Sequence, residues 1–362
     1  MNFRGITPLG VFGGAVVVLA VFIASYCMAK TPSAQLGEDI IPSVTPSTDR
    51  AEVGYTLPDG RSAEDIGSDL QKLGVIKSGS QFEFLVSLMG LQSSLSTGDY
   101  LLKKNSSALT IVRELTVKDA VPVLKVTFPE GIRIEEMAVI AEEAGFGSRD
   151  DFLAAAANAK VPPGFEDAFP EGASLQGYLF PDTYIMPVGS TPAELIQYML
   201  STLQERFSPA LRSAAALHGL NTHQVLTMAS IVEREAVLPE ERPLIAGVFY
   251  NRLAENDTLG ADPTVQYAVS LVTGSVAEYG YWKKELTLED LDIDSPYNTR
   301  KFAGLPPGPI TNPGLASIEA VANPEATDYY YFVADAKKGD GSHRFSVTFE
   351  EHQQNIALYG SP

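Results

Sequence analysis

The sequence predicts an α+β protein with a transmembrane helix at its N-terminus, on three observations. An uncharged apolar run fills Leu9–Met28, and a strand-turn-helix pattern occurs twice in the chain that follows. From Pro209 onward the pattern of apolar residues becomes helical, and strand signals return only near the C-terminus. The 362 residues are 45% hydrophobic and 20% charged, which is typical of a globular protein with a sizeable core.

The charge and the metal-binding residue types exclude several classes of protein. The formal net charge is −19, whereas a nucleic-acid-binding protein needs a basic surface to neutralise phosphates. The single cysteine, Cys27, lies inside the apolar run, so no disulfide or Cys-based zinc site can form within the chain. The four histidines are scattered without a ligand pattern (His218, His223, His343 and His352). We therefore expect no nucleic-acid partner, no metal and no cofactor.

Residues 9–29 have the length of a membrane-spanning helix, since about twenty apolar residues cross the hydrocarbon core of a bilayer. A cleaved signal peptide is the alternative, but its apolar region is usually shorter. A lipoprotein signal would need a small residue before Cys27, and Tyr26 is bulky. We therefore expect an uncleaved single-pass anchor that follows a short tail of residues 1–8.

A tether and an internal repeat follow the predicted anchor. Residues 30–52 are rich in Pro, Ser and Thr and lack periodicity, which is typical of a flexible tether. After it, the motif Tyr55–Gly60 (YTLPDG) recurs as Val126–Gly131 (VTFPEG), and each copy is followed at the same spacing by an acidic pair and a glycine. Each copy predicts a strand, a turn and an amphipathic helix. The repeat suggests two related α+β modules, near 53–122 and 123–207.

The second half of the repeat is fainter. Gly98–Leu101 (GDYL) is echoed by Gly177–Phe180 (GYLF), and both are followed by residues that can begin a helix. This echo extends the repeat, and chance reuse of strand-turn-helix chemistry stays the alternative.

The helical part contains a candidate catalytic helix. Asn221 or Thr222 can cap a helix that runs to about Val237. One apolar stripe of this helix is formed by Val225, Ala229, Val232 and Ala236. Glu235 projects beside this stripe, and Glu233 projects from the other flank.

A carboxyl group held against bulky apolar side chains has a raised pKa, because burial disfavours its ionised form. A general acid that protonates a glycosidic oxygen near neutral pH needs such a raised pKa. The pattern alone leaves the alternative open, because most glutamates on a helix flank are solvated. Both glutamates would then be surface residues, paired with Arg234 or Arg242.

Several segments in a fixed order resemble one known family. The segments are ASIVEREAVLPEERPLIAGVFYNRL (229–253), LGADPTVQYAV (259–269), SPYNTRKFAGLPPGPITNPGLASIEA (295–320), YYYFVAD (329–335) and HRFSVTFEEH (343–352), with GYLFPDTY (177–184) upstream. Together they look like the endolytic murein transglycosylase family of YceG-like proteins. The resemblance covers about residues 53–355, and the repeated Pro-acid-Gly motif is similar to the LysM-like region of that family.

The resemblance implies a fold and an activity. It implies a LysM-like α+β module at 53–122 and a mixed YceG-like catalytic domain at 123–362, built around the helix that carries the catalytic glutamate. The implied activity is that of a lyase, a lytic transglycosylase that cleaves the MurNAc–GlcNAc bond of nascent peptidoglycan strands. It leaves 1,6-anhydroMurNAc ends and limits strand elongation.

The same resemblance implies a location and partners. It places the N-terminus inside a bacterial cell and the catalytic domain outside the cytoplasmic membrane, to which the apolar helix anchors the chain. The implied partners are peptidoglycan glycan strands, the cytoplasmic membrane and peptidoglycan synthases.

The resemblance also implies site residues. Glu235 matches the catalytic glutamate best, because a small residue, Ala236, follows it, and Glu233 is the second candidate. Substrate-binding residues are expected at Gln176, Tyr178, Asn251, Asp262, Gln266, Tyr297 and Asn298. The chain departs from the family pattern at Gln176, where Glu is usual, and at Gly260-Ala261, where Gln-Thr is common.

Two other functions stay open at this point. One is a non-catalytic peptidoglycan-binding scaffold of the cell-wall synthesis machinery, for which a Gln in place of Glu235 would have been expected. The other is a hydrolase with a conventional pair of carboxylates, such as Glu235 with Asp262.

Overall fold

The computed structural model describes residues 52–116 and 122–360. The predicted cytoplasmic tail and membrane span lie outside the described residues, as does the predicted tether up to residue 51. In the two described ranges, no helix combines the length and the apolar composition that a membrane crossing requires.

The first copy of the repeat has the predicted strand-turn-helix order and a core of its own. Its elements are β1 (Glu52–Leu57), α1 (Ala63–Lys72), α2 (Gly79–Leu88), β2 (Gly98–Lys103) and α3 (Ala108–Thr116). β1 and β2 pair antiparallel, with Tyr55 opposite Tyr100. Side chains from both strands and all three helices enclose a separate apolar cluster, which includes Leu70, Phe82 and Ile111.

The second copy repeats this order. Its elements are β3 (Val123–Thr127), α4 (Ile134–Glu143), α5 (Arg149–Asn158), a 3-10 turn (Glu166–Ala168), β4 (Thr183–Pro187) and α6 (Pro192–Arg206). β3 and β4 pair antiparallel, as β1 and β2 do. The glycines that close α1 and α4, Gly74 and Gly145, have φ angles of 71° and 88°. These left-handed angles explain the glycine at the same place in both copies.

In the second half of the repeat, the predicted match of Gly98–Leu101 with Gly177–Phe180 is wrong, whereas the match at the helix starts is correct. Ser107 and Thr191 each accept a backbone N–H at the start of α3 and α6, as the echo predicted. However, the strand that corresponds to β2 begins at Thr183, after the segment Gly177–Phe180. That segment is instead buried in the main core, because its aromatic side chains pack beneath the helical part.

The remaining elements form a helical layer and a terminal hairpin. They are α7 (Pro209–Leu217), α8 (Thr222–Glu235), a 3-10 turn (Pro239–Glu241), α9 (Arg242–Ala254), α10 (Asp262–Ser270), α11 (Ser275–Tyr279), α12 (Leu288–Leu291), α13 (Leu315–Ala322), β5 (Tyr331–Ala334), β6 (His343–Ser346) and α14 (Phe349–Tyr359). β5 and β6 pair antiparallel, with Phe332 opposite Phe345, and α14 packs on both strands.

The predicted catalytic helix, α8, is the central helix of this layer. Asn221 caps it, since its Oδ1 accepts the backbone N–H of Gln224 at 2.9 Å. The predicted amphipathic pattern is wrong in one respect, because His223 and every residue from Val225 to Val232 are buried. α8 therefore lies within the core, and its last turn carries the glutamates. It ends at Glu235, two residues before the predicted end, because Ala236 has an extended backbone (ψ 117°).

Asn312 joins the second copy of the repeat to the helical layer. Its fully buried side chain accepts the backbone N–H groups of Gly177 and Leu179 at 2.9 and 3.1 Å. Its Nδ2 donates to the carbonyl oxygen of Ile132 at 3.1 Å. One amide therefore satisfies two buried backbone N–H groups and one backbone carbonyl, from two distant segments.

Replacing Asn312 with Ala leaves those backbone groups without their side-chain partner in the core. We expect the free energy of unfolding to fall by about 2–4 kcal/mol in denaturant titrations, because unpaired buried polar groups are costly. Asn323→Ala is the matched control, since Asn323 is exposed and makes one long hydrogen bond to Glu319. Equal stability of the two variants would contradict this role for Asn312.

Candidate active site

A cleft of about 500 Å³ lies between the C-terminal end of α8 and the β5–β6 hairpin. Its lining combines acidic, basic and aromatic groups. They are the carboxylates of Glu235, Asp257 and Asp262, the guanidinium groups of Arg252 and Arg300, the imidazoles of His343 and His352, and the rings of Tyr331, Phe332 and Phe349. Hydrogen-bonding groups beside aromatic faces suit the binding of a polar ring such as a sugar.

Glu235, the last residue of α8, is half-buried at the edge of this cleft. Its carboxyl group hydrogen bonds to none of the described residues. Burial and, to a smaller extent, the negative charge of Asp262 raise the pKa of Glu235 to about 8, against the lowering effect of Arg300, Arg252 and Arg234. At neutral pH the carboxyl group is therefore mostly protonated and free to donate its proton.

Glu233 has a different environment on the opposite flank of α8. Its carboxylate accepts the backbone N–H of Gly314 at 3.0 Å and the hydroxyl of Ser317 at 2.7 Å. It also pairs with Arg242 at 3.4 Å, and its side chain is 7% exposed. These bonds tie α8 to the start of α13 and to α9. Glu233 therefore has a structural role, and it pairs with Arg242 as a buried residue and not as the surface residue of the alternative interpretation.

Asp262 is the predicted substrate-binding residue that the structure places in the cleft with Glu235. It is the first residue of α10, and its carboxylate accepts from Nε of Arg300 at 2.6 Å. Asn298 shapes the turn that presents Arg300, because its Oδ1 accepts the backbone N–H of Arg300 at 3.0 Å. Asn298 itself is fully buried, and its Nδ2 donates to two backbone carbonyls. The prediction that Asn298 lines the cleft is therefore wrong.

Gln176 and Tyr178, also predicted to bind substrate, are buried in the core. Gln176 accepts the backbone N–H of Ile134 at the start of α4, at 3.1 Å. The hydroxyl of Tyr178 lies 2.8 Å from Nδ1 of His223. Both side chains satisfy polar groups inside the core, and neither lines the cleft.

Three further predicted residues anchor loops around α8. Nδ2 of Asn251 donates to the carbonyls of Thr327 and Tyr329 at 2.7 and 2.8 Å. Nε2 of Gln266 donates to the carbonyl of Lys283 at 2.8 Å. The ring of Tyr297 packs on Tyr267, with centroids 4.7 Å apart. These residues do not line the cleft around Glu235, because their polar groups are engaged elsewhere.

The cationic and imidazole groups of the cleft were not predicted. Arg252, Arg300, His343 and His352 all lie in segments that resemble the family, but charged residues on loops and helix ends usually face solvent. Their occurrence within those segments was the one feature of the sequence that could have indicated a place in the site. Within 52–116 and 122–360, no three His, Cys, Asp or Glu side chains are grouped so that they could hold a metal ion.

Comparisons with known proteins identify the family of the chain. The YceG-like family matches residues 55–358. The endolytic murein transglycosylase of Bacillus subtilis (strain 168) is 34% identical over 322 residues, which cover 86% of this chain and 85% of that protein. The endolytic murein transglycosylase of Streptococcus pneumoniae serotype 2 (strain D39) is 33% identical over 323 residues, which cover 83% of this chain and 57% of that protein.

A solved structure also matches this family. The crystal structure of a YceG-like protein from Listeria monocytogenes has a TM-score of 0.54 and 31% sequence identity, and the match covers 84% of this chain and 99% of that one. The family match spans most of the chain and includes the cleft with Glu235, so the chain belongs to the YceG-like family.

Proposed function

We propose that this protein is an endolytic lytic transglycosylase that cleaves peptidoglycan glycan strands, with Glu235 as its catalytic acid. The observation that carries the proposal is an unpaired carboxyl group with a pKa raised to about 8, in a cleft whose lining suits sugars. Relatives named endolytic murein transglycosylases support it. The presence of Glu at position 235 argues against a non-catalytic scaffold, for which Gln would have been expected there.

The proposed reaction begins with proton transfer from Glu235 to the oxygen that leaves the anomeric carbon of N-acetylmuramic acid. The 6-hydroxyl of the same sugar then attacks that carbon and gives a 1,6-anhydro ring. In the form of this reaction that uses one carboxyl group, the Glu235 carboxylate also removes the proton of the hydroxyl. Because the nucleophile belongs to the substrate, its proximity supplies much of the rate enhancement.

Two carboxylates in the cleft suit the transition state. The sugar develops positive charge as the glycosidic bond breaks, and the carboxylates of Asp257 and Asp262 line the same cleft as Glu235. The ion pair between Asp262 and Arg300 fixes the position of one of these carboxylates.

The second candidate function is a hydrolase that uses Glu235 and Asp262 as a pair, and the presence of both in one cleft favours it. Mass spectrometry of strands cut by the purified protein separates the functions. We expect 1,6-anhydro ends. Reducing ends would support the hydrolase, and intact strands would support a scaffold.

We also propose that residues 9–29 anchor the protein in the cytoplasmic membrane, with the folded residues outside. The uncharged length of this segment supports the anchor, and the peptidoglycan substrate supports the orientation. Protease added to spheroplasts is expected to digest the folded part. Its complete protection in intact spheroplasts, with digestion after lysis, would contradict the orientation.

The module of β1 to α3, with its separate apolar core, is a proposed contact for the glycan strand. Its order of strands and helices and its similarity to a LysM-like region support this role. Synthases of peptidoglycan are proposed partners on the resemblance alone.

A further inference from the structure

His343 and Glu241 form a buried pair in the wall of the cleft. Nδ1 of His343 lies 2.7 Å from one oxygen of Glu241, and the backbone N–H of His343 donates to the other oxygen at 2.9 Å. The two side chains are 7% and 11% exposed. Because the carboxylate accepts at Nδ1, the neutral imidazole carries its hydrogen there and its free lone pair on Nε2. No described residue hydrogen bonds to Nε2.

The same segment that follows Glu235 holds His343 in place. This segment runs from Val237 to Glu241, directly after the end of α8. Val237 packs against the α-carbon of Gly341, and Glu241 binds the backbone and ring of His343. The start of β6 is therefore fastened at two points to the residues that follow the catalytic acid.

The ring of His343 is also fixed from its other sides. Phe332 meets it edge to face, with centroids 5.4 Å apart, and Phe345 packs at 6.4 Å. These contacts leave the imidazole little freedom to rotate. An imidazole oriented by a carboxylate, with one nitrogen free, is the arrangement that a general base requires.

The other polar groups of the cleft are engaged with neighbours or lack a partner that orients them. Oδ1 of Asp257 accepts the backbone N–H of Thr258 at 2.7 Å. Arg300 pairs with Asp262, and Nε of Arg252 donates to the carbonyl of Tyr330 at 2.6 Å. His352 stacks on Tyr331, and its Nδ1 is buried without a hydrogen-bond partner among the described residues. His343 therefore differs from His352 in having a carboxylate that orients it.

We propose that His343, oriented by Glu241, is a second catalytic residue that binds the 6-hydroxyl of the muramoyl sugar through Nε2 and takes its proton. This inference rests on the proposed function and assigns the two proton transfers to different residues. Glu235 gives its proton to the leaving oxygen as the bond from that oxygen to C1 breaks. O6 forms its bond to C1 and loses its proton to Nε2. The imidazolium then returns that proton to the Glu235 carboxylate through water, which restores both groups.

The test measures the rate of strand cleavage and the kind of end produced, with the full-length protein and uncrosslinked glycan strands. In His343→Asn the amide nitrogen can still donate to Glu241, but the variant has no base. We expect the rate of anhydro-end formation to fall by about 100-fold. The share of reducing ends should rise, because water competes for C1 when O6 is not deprotonated. A purely structural role would lower the rate without changing this share.

Glu241→Gln tests the orienting carboxylate separately. Its amide can donate to Nδ1, which favours the ring form with the hydrogen on Nε2, and we expect the same change in products as in His343→Asn. His218→Asn is the matched control, because His218 is exposed at the end of α7 and lies outside the cleft. It should match the wild type in rate and products. If His343→Asn melts early, His343→Ala with added imidazole replaces it, and the base role predicts at least a partial recovery of the rate.

The outcomes separate this inference from the proposed function. Inactive Glu235→Gln together with His343→Asn within about threefold of the wild-type rate would overturn the role of His343 and keep that of Glu235. Lower activity of His343→Asn with an unchanged share of reducing ends would also overturn it, as would a product change in His352→Asn instead. If Glu235→Gln stays active, the proposed function fails, and the inference fails with it.

Discussion

The Glu235→Gln variant is expected to release almost no anhydro-muropeptides while it folds normally and still binds peptidoglycan. Glutamine keeps the shape and hydrogen-bonding reach of the side chain but cannot donate a proton. Loss of a general acid typically lowers the rate by about 100- to 10,000-fold. Since no described residue hydrogen bonds to the Glu235 side chain, its replacement breaks no hydrogen bond among the described residues. The measurement is quantitation of anhydro ends by mass spectrometry, with melting curves to verify folding.

Glu233→Gln is the control on the same helix. Its carboxylate accepts from Gly314, Ser317 and Arg242, so we expect a loss of stability of about 1–3 kcal/mol and a much smaller loss of activity per folded molecule. An inactive Glu233→Gln beside an active Glu235→Gln would reverse the assignment. Activity near the wild-type level in both variants would remove the catalytic acid from α8.

Local patterns in the sequence predicted much of the fold. The repeated Pro-acid-Gly motif lies between a strand and a helix in both copies, because the turn, the cap and the closing glycine are determined by residues close in sequence. The start of α8 at Asn221 followed from the same kind of local signal. The position of β4 did not, because strand pairing depends on contacts with β3, which is distant in the chain.

The candidate acid was predictable for a physical reason, whereas most of its expected neighbours were not. The apolar stripe beside Glu235 indicated burial, and burial is the first cause of its raised pKa. Polar residues such as Asn251 and Asn298 have two uses, a ligand contact or a bond to a buried carbonyl. Their sequence context does not separate the two uses, and only the folded chain shows the carbonyls that they satisfy.

The groups that the sequence did not reveal come from distant segments. Arg252 lies in the last turn of α9, Arg300 follows a turn held by Asn298, and His343 begins β6. Their meeting in one cleft depends on the packing of α14 and the β5–β6 hairpin across from α8. Periodicity in a single sequence predicts helices and strands, but it does not predict which distant side chains come together.

The dependence of activity on pH is the second large effect that we expect. Glu235 must be protonated to act, and its pKa is raised to about 8. The cleavage rate is therefore expected to stay level through neutral pH and to fall about tenfold per pH unit above 8. A glutamate at its ordinary pKa of 4.5 would already lose activity in mildly acidic solution. Initial rates on glycan strands at constant ionic strength measure the profile, and a decline centred near 4.5 would contradict the burial argument.

The stability of the folded protein should also depend on pH through the ionisation of Glu235, and it should fall as the pH rises. Between pH 4.5 and about 8 the folded chain holds the Glu235 proton and the unfolded chain does not, so the wild type loses stability as pH rises through this window. Glu235→Gln lacks this loss. We expect its Tm to match the wild type near pH 4.5 and to exceed it by about 2–4 °C above pH 8, with the gain limited by water in the cleft. A Tm difference that does not change with pH would mean that the folded protein leaves this carboxyl group as acidic as it is in the unfolded chain.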